Sequence, residues 1–170
     1  MIKQDISENR VNIVYLALGS NLGNRIKNIE KAKLLLIKNN ISLISVSKYY
    51  ETASWPNPKN PKFINIVLKA KCLLNPNQLL NLCKSIEVKL GRKKTLKNSP
   101  RECDIDIIDF NSLILKGKLN LPHKRMHKRN FVLFPLFEIE KTWFHRLKKK
   151  NIKTLIFSLS NNDIRSIKQI

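Results

Sequence analysis

A length of 170 residues suits one domain with a substantial core, expected to span 1–170. The chain carries 33 basic and 12 acidic residues, a net charge of +21. No apolar run approaches membrane-span length, residues 1–12 are too polar for a signal peptide, and Cys72, Cys83 and Cys103 form no Cys-x-x-Cys pair. A membrane span, a secretory leader and a disulfide scaffold are therefore not expected. The expectation is a cytoplasmic globular protein with free, buried thiols, preceded by a flexible extension over 1–12.

In chain order, Ile13 to Leu18 form a continuous apolar run, which predicts a central strand buried on both faces. Gly19-Ser20-Asn21-Leu22-Gly23 breaks it, and Ile26, Ile29, Ala32 and Leu36 then recur at helical spacing over 24–38. Residues 41–51 read as a second strand. Three prolines and two asparagines make 53–62 an irregular loop. The next segment alternates: Ile64, Ile66, Leu68 and Ala70 share one face, and Phe63, Asn65, Val67 and Lys69 the other. Asn75-Pro76 is a helix start, with Leu79, Leu82, Cys83, Ile86 and Leu90 as its stripe and Gly91 as its stop. A charged loop over 92–99 leads to a strand holding Asp104 and Asp106, and 113–115 reads as a returning hairpin strand. A covering helix is expected from Ile152, Leu155, Ile156 and Leu159. The order β-α-β-β-α-β predicts an α+β, ferredoxin-like fold with a mainly antiparallel sheet and an added hairpin. Its helices are expected on one face, leaving the other free for a site.

The chemistry-bearing segment is Ser99-Pro100-Arg101-Glu102-Cys103-Asp104-Ile105-Asp106-Ile107-Ile108. In a strand, residues i and i+2 point to the same face, so the two aspartates project side by side. Charges inside an apolar strand cost several kcal/mol unless paired, which favours a cation over a solvated strand edge. Mg²⁺ takes one or two carboxylates and completes its shell with water and substrate phosphates. Arg101 lies three residues upstream, suited to phosphate recognition. Two basic clusters, Lys89 to Arg101 and His123 to Arg129, flank or follow this strand. They fit a polyphosphate clamp, while lysines spread over nearly every block of ten reflect composition bias. Phe63 and Asn65 pair an aromatic with an amide on one strand face, which suits a flat heteroaromatic ligand but equally an ordinary surface. The Gly19–Gly23 segment lacks the ending of a P-loop and reads as a turn and helix cap.

Read together, these segments resemble the 6-hydroxymethyl-7,8-dihydropterin pyrophosphokinase family of folate biosynthesis. The resemblance rests on YLALGSNLGNR from Tyr15, the Tyr-x-Thr of Tyr50 to Thr52, FIN at 63–65 and IEVKLGR at 86–92. It continues through PRECDIDI at 100–107, LPHKRMHKRNF at 121–131 and PLFEI at 135–139. It implies transfer of the β,γ-diphosphate of ATP to the pterin hydroxymethyl group, giving AMP and the pterin diphosphate. Asp104 and Asp106 would hold two Mg²⁺ ions. Phe63 and Phe131 would sandwich the pterin, with Thr52, Asn65 and the backbone of Ala53 and Trp55 at its edge. Arg92, Lys94, Arg101, His123 and Arg129 would contact the triphosphate. Arg92 and Arg101 would act with the aspartates in catalysis. Lys84 and Glu87 would lie where a helix meets the nucleotide, and Ile107 at the adenine pocket. The loops over 53–62 and 92–99 would close over substrate. Ser99 before Pro-Arg, Lys94 in place of an arginine and a shortened loop with Lys97 and Asn98 depart from the family pattern. The small molecules ATP and pterin are the expected partners of a monomer, with no membrane and no specific nucleic acid.

Two other classes fit parts of the sequence. A basic ferredoxin-like nucleic-acid-binding domain accounts for the charge, but the aspartate pair would repel phosphate and interleaved stacking aromatics are lacking. A two-metal nuclease accounts for the aspartates but not for Phe63, Asn65 and Phe131.

Overall fold

The computed structural model describes residues 10–54, 57–93 and 99–170. Strand β1 (Asn12–Ser20) starts at the last residue of the expected extension, and Asn12 is already buried there. It lies between β4 (Phe63–Cys72) and β5 (Asp104–Phe110), antiparallel to both. This central position explains why β1 is apolar on both faces. The far edge of β4 carries β2 (Ser42–Val46) along one half and β3 (Tyr50–Thr52) along the other. The expected strand over 41–51 is thus split. At the break Ser47 donates its backbone N–H to Val67 O, while its Oγ accepts from Val67 N at 3.0 Å. A short side chain replaces the carbonyl there, and the strand kinks without leaving β4 unpaired.

Helices α1 (Arg25–Lys38) and α2 (Pro76–Lys89) cover one face. Ile29, Ala32 and Leu36 of α1 and Leu79, Cys83 and Ile86 of α2 pack with Leu16, Leu18, Ile64, Ile66, Leu68, Ile105 and Ile107. Asn24 Oδ1 caps α1 by accepting from Lys27 N at 3.0 Å. Asn75 and Gln78 form a reciprocal capping box on α2, with Pro76 in the first turn. The thiols of Cys72, Cys83 and Cys103 are free and buried, and burial pushes Cys83 and Cys103 up to about 12.

The opposite face is not free. After the short 3₁₀ turn Met126–Lys128, helix α3 (Asn130–Ile139) lies across it, followed by the hairpin β6 (Phe144–His145) and β7 (Lys150–Asn151) and helix α4 (Ile152–Phe157). Val132, Leu133, Leu136, Ile152 and Leu155 pack onto Tyr15, Val67 and Ile108. Each such burial is worth roughly 1.5–3 kcal/mol, so the three α3 side chains together exceed the roughly 3 kcal/mol cost of Pro135 inside the helix. Helices therefore sit on both faces, correcting the one-sided expectation. The hairpin expected at 113–115 reduces to one bridge, Leu115 to Leu121, because Asn111 and Ser112 turn the chain at φ 49° and 56°. Helix α5 (Asn161–Ser166) leads to β8 (Lys168–Gln169), which pairs with β3. Among the described residues no helix is long and apolar enough to cross a membrane.

His145 is 2% exposed, packed edge-on against Trp143 at 5.6 Å and His127 at 6.1 Å. Burial first, then the neighbouring His127 and Lys148, push its pKa down to about 4. The unfolded chain takes up this proton below about 6.5, the folded chain only near 4. Stability from this residue should therefore be lost as pH falls through that window, by up to about 1.4 kcal/mol per pH unit. Urea unfolding of the wild type and of His145→Gln between pH 4 and 7 checks this. A flatter acid limb is expected in the variant, and parallel limbs would contradict it.

Candidate active site

The second face stays open at the N-terminal end of α3, and there three strands set the floor of a cleft. Gly19 faces Asn65 on one side and Asp104 on the other; Ala17 faces Val67 and Asp106. The two smallest residues of β1 thus lie between two rows of functional side chains. A Cβ at Gly19 would stand 2.9 Å from Asn65 Oδ1 and 3.4 Å from Phe63 Cδ1. The cavity measures about 590 Å³. Its lining combines an amide-aromatic group, Thr52, Ala53, Phe63, Asn65 and Phe131, with a charged group, Arg101, Asp104, Asp106 and Arg129.

The amide end is preorganised. Asn65 Nδ2 donates to Thr52 Oγ1 at 3.1 Å, and both residues are buried. This fixes the rotamer of Asn65 and leaves Oδ1 nearest the space above Gly19. The Arg101 guanidinium lies 5.6 Å from the Phe63 ring, and that of Arg129 lies 5.4 Å from the Phe131 ring.

At the acidic end each aspartate is ringed by basic side chains. Arg92 meets Asp104 at 2.6 Å and Arg101 meets it at 3.3 Å. Arg129 meets Asp106 at 2.9 Å, with His123 Nε2 at 3.7 Å. Burial acts to raise the Asp104 pKa, but Arg101 and Arg92 outweigh it and hold the carboxyl below the usual range. Burial pulls the His123 pKa down, with Arg129 and Arg125 adding to it against Asp106. Glu87, 1% exposed, accepts from Ile105 N at 2.8 Å and pairs with Arg92 at 2.6 Å and Lys84 at 3.0 Å. It therefore anchors Arg92 from beneath, while burial holds its own pKa up. Ile107 does not join the cavity: it alternates away from Asp106 into the helix-side core, so its side chain is not offered to a ligand.

Among the described residues no group of three or more His, Cys, Asp or Glu could hold a metal. Two adjacent carboxylates instead fit Mg²⁺, which shares its shell between one or two carboxylates and phosphate oxygens. The arginines beside them offer the matching fork geometry for phosphate. Trp55, Lys94, Lys97 and Asn98 lie outside the described residues.

The segment read as a turn does more than cap α1. Asn21 is 2% exposed; its N–H donates to Arg101 O at 3.2 Å, and its Oδ1 accepts from Arg101 N at 2.9 Å. Its Nδ2 donates to Ser54 Oγ and to Pro61 O, each at 3.2 Å. One side chain thus ties Arg101 to the loop that bears Ala53. Arg125, Lys128, Asn130, Asp163 and Ser166 also line the cavity, and only the charge of the His123–Arg129 cluster hinted at the first two.

The sequence model of 7,8-dihydro-6-hydroxymethylpterin-pyrophosphokinase (HPPK) matches residues 15–141. The chain belongs to this family. A 2-amino-4-hydroxy-6-hydroxymethyldihydropteridine pyrophosphokinase of Aquifex aeolicus is 40% identical over 82% of this chain and 88% of its own. The Bacillus subtilis protein of the same name is 41% identical over 75% of this chain and 78% of its own. A mitochondrial folate synthesis bifunctional protein of Arabidopsis thaliana is 38% identical over 74% of this chain, which spans 23% of that longer protein. The crystal structure of wild-type Plasmodium falciparum HPPK-DHPS with pteroate shares the fold, with a TM-score of 0.72 at 18% identity over 88% of this chain and 42% of that one. The nucleic-acid-binding reading finds no support in any of these likenesses.

Proposed function

We propose that this member of the HPPK family transfers the β,γ-diphosphate of ATP to 6-hydroxymethyl-7,8-dihydropterin, giving AMP and the pterin diphosphate for folate synthesis. The observation that carries the reading is a single cavity with an amide-aromatic end and a carboxylate-arginine end, separated only by Gly19 and Ala17. Phe63 and Phe131 stack the pterin; Thr52, Asn65 and the backbone of Ala53 and Trp55 bind its edge. Arg92, Lys94, Arg101, His123 and Arg129 bind the triphosphate. Lys84 and Glu87 hold the nucleotide side, and the backbone at Ile107 borders the adenine. The order β5-β1-β4 with β2 and β3 beyond supports a ferredoxin-like reading of the sheet. On this reading the protein acts in the cytoplasm as a monomer on small molecules.

Asp104 and Asp106 would hold two Mg²⁺ ions, which when bound neutralise phosphate charge. The chain's own residues do the rest. The amide end fixes the pterin so that its hydroxyl oxygen approaches the β-phosphorus. That oxygen forms the new bond to the β-phosphorus as its proton passes to solvent, the bond from the β-phosphorus to the α,β-bridging oxygen breaks, and AMP leaves with that oxygen. Arg92 and Arg101 stabilise charge that develops on the phosphates. Orientation of two bound substrates supplies roughly 7–11 kcal/mol of such a barrier in well-aligned cases, enough to make positioning the larger contribution. The test is incubation with Mg²⁺, ATP and the hydroxymethylpterin. AMP formed in step with pterin consumption is expected; nucleotide turnover independent of pterin would refute the assignment.

A further inference from the structure

We infer that the C-terminal segment 160–169 is a strap that positions the pterin-binding end of the cleft, and that Asn130 is its clamp. The inference rests on the functional reading above and goes beyond it. The family match ends at residue 141, so the strap lies outside it. Asp163 and Ser166 nevertheless line the same cavity as Phe63, Asn65 and Phe131.

Asn130 makes the join. Its Oδ1 accepts from Phe131 N at 2.7 Å, while its Nδ2 donates to Asp163 O at 2.6 Å and to Ser166 Oγ at 3.1 Å. The side chain is buried, so these bonds are shielded from competing water. Ser160 stiffens the strap by donating its Oγ to Asp163 Oδ2 at 2.7 Å and accepting from Asp163 N at 3.1 Å. At its other end, β8 pairs Lys168 with Glu51 and Gln169 with Tyr50, and Ile170 N donates to Tyr49 O at 2.9 Å. Strand β3 also carries Thr52, which holds Asn65. The strap is therefore fastened to the residue before Phe131 and to the strand of Thr52. It spans the two groups assigned to the ring's face and edge, while Arg129, next to Asn130 in the chain, is paired with Asp106 rather than with the strap. A segment serving only to cover the sheet edge would need no side-chain clamp beside Phe131.

The test compares Michaelis constants for pterin and for ATP, with thermal midpoints, in the wild type, in Asn130→Asp and in the chain stopped after Leu159. Aspartate keeps the acceptor for Phe131 N but cannot donate to Asp163 or Ser166. Losing such a bond corresponds to about fivefold in an equilibrium constant. The KM for pterin is expected to rise about fivefold or more in Asn130→Asp and further in the truncated chain, with the KM for ATP within about twofold of wild type. An unchanged pterin KM in both variants, or both constants rising together with a fallen midpoint, would overturn the inference. If the truncated chain does not fold, Asn130→Asp alone decides. Wild-type turnover with unaffected variants would refute only the strap; wild type without pterin-dependent AMP would refute the functional reading as well.

Discussion

Asp106→Ala is expected to lower kcat by on the order of 10³-fold or more, with Asp104→Ala close behind. Each aspartate is a carboxylate that would carry Mg²⁺ to the ATP phosphates. Each also offsets cations that would otherwise crowd one another. Removing Asp106 leaves Arg129 and His123 without their shared acid, and removing Asp104 does the same to Arg92 and Arg101. The loss should fall on kcat rather than on pterin affinity, because Thr52, Phe63 and Asn65 are untouched. Steady-state kinetics with pterin titrations checks this. Turnover within about tenfold of wild type in either variant would remove the aspartates from the chemistry.

Gly19→Val should weaken pterin binding strongly while sparing ATP binding to a greater degree. The backbone at Gly19 is ordinary strand, so valine is tolerated locally. The obstacle is space: the first added carbon already meets Asn65 Oδ1 at 2.9 Å. Asn65 cannot swing aside without breaking its bond to Thr52. A lost buried hydrogen bond costs about 1–3 kcal/mol and a displaced aromatic contact about 0.5–1.5 kcal/mol. Together these correspond to a pterin Kd raised on the order of 10²-fold. Equilibrium titration of the ligand measures it. Affinity unchanged in Gly19→Val would place the pterin elsewhere.

The sheet and the acidic end of the site were legible because their signals are local. Alternation along 63–70 assigned Phe63 and Asn65 to one face, and two-residue spacing set Asp104 beside Asp106. Asn75-Pro76 announced α2 by cap chemistry alone. What escaped was decided at a distance. Helix α3 was hidden by Pro135 and by a run, Phe131 to Phe137, apolar on every side, so no period marked it. The split of the second strand depends on Ser47 bonding to Val67, twenty residues away. Asn21 looked like a turn residue because its partners, Ser54, Pro61 and Arg101, become neighbours only after the sheet forms. The tail is short-helical and polar, and its place in the cleft follows from Asn130, not from any pattern of its own. Ile107 went the other way: it belongs to the matched segment, yet alternation buries its side chain in the core.

The central claim is that both the β- and γ-phosphorus atoms leave ATP together for one pterin oxygen. Phosphorus NMR of the purified pterin product tests it most directly. Two mutually coupled resonances, with AMP as the sole nucleotide product, are predicted. A single phosphate ester resonance, with ADP formed in its place, would contradict the account.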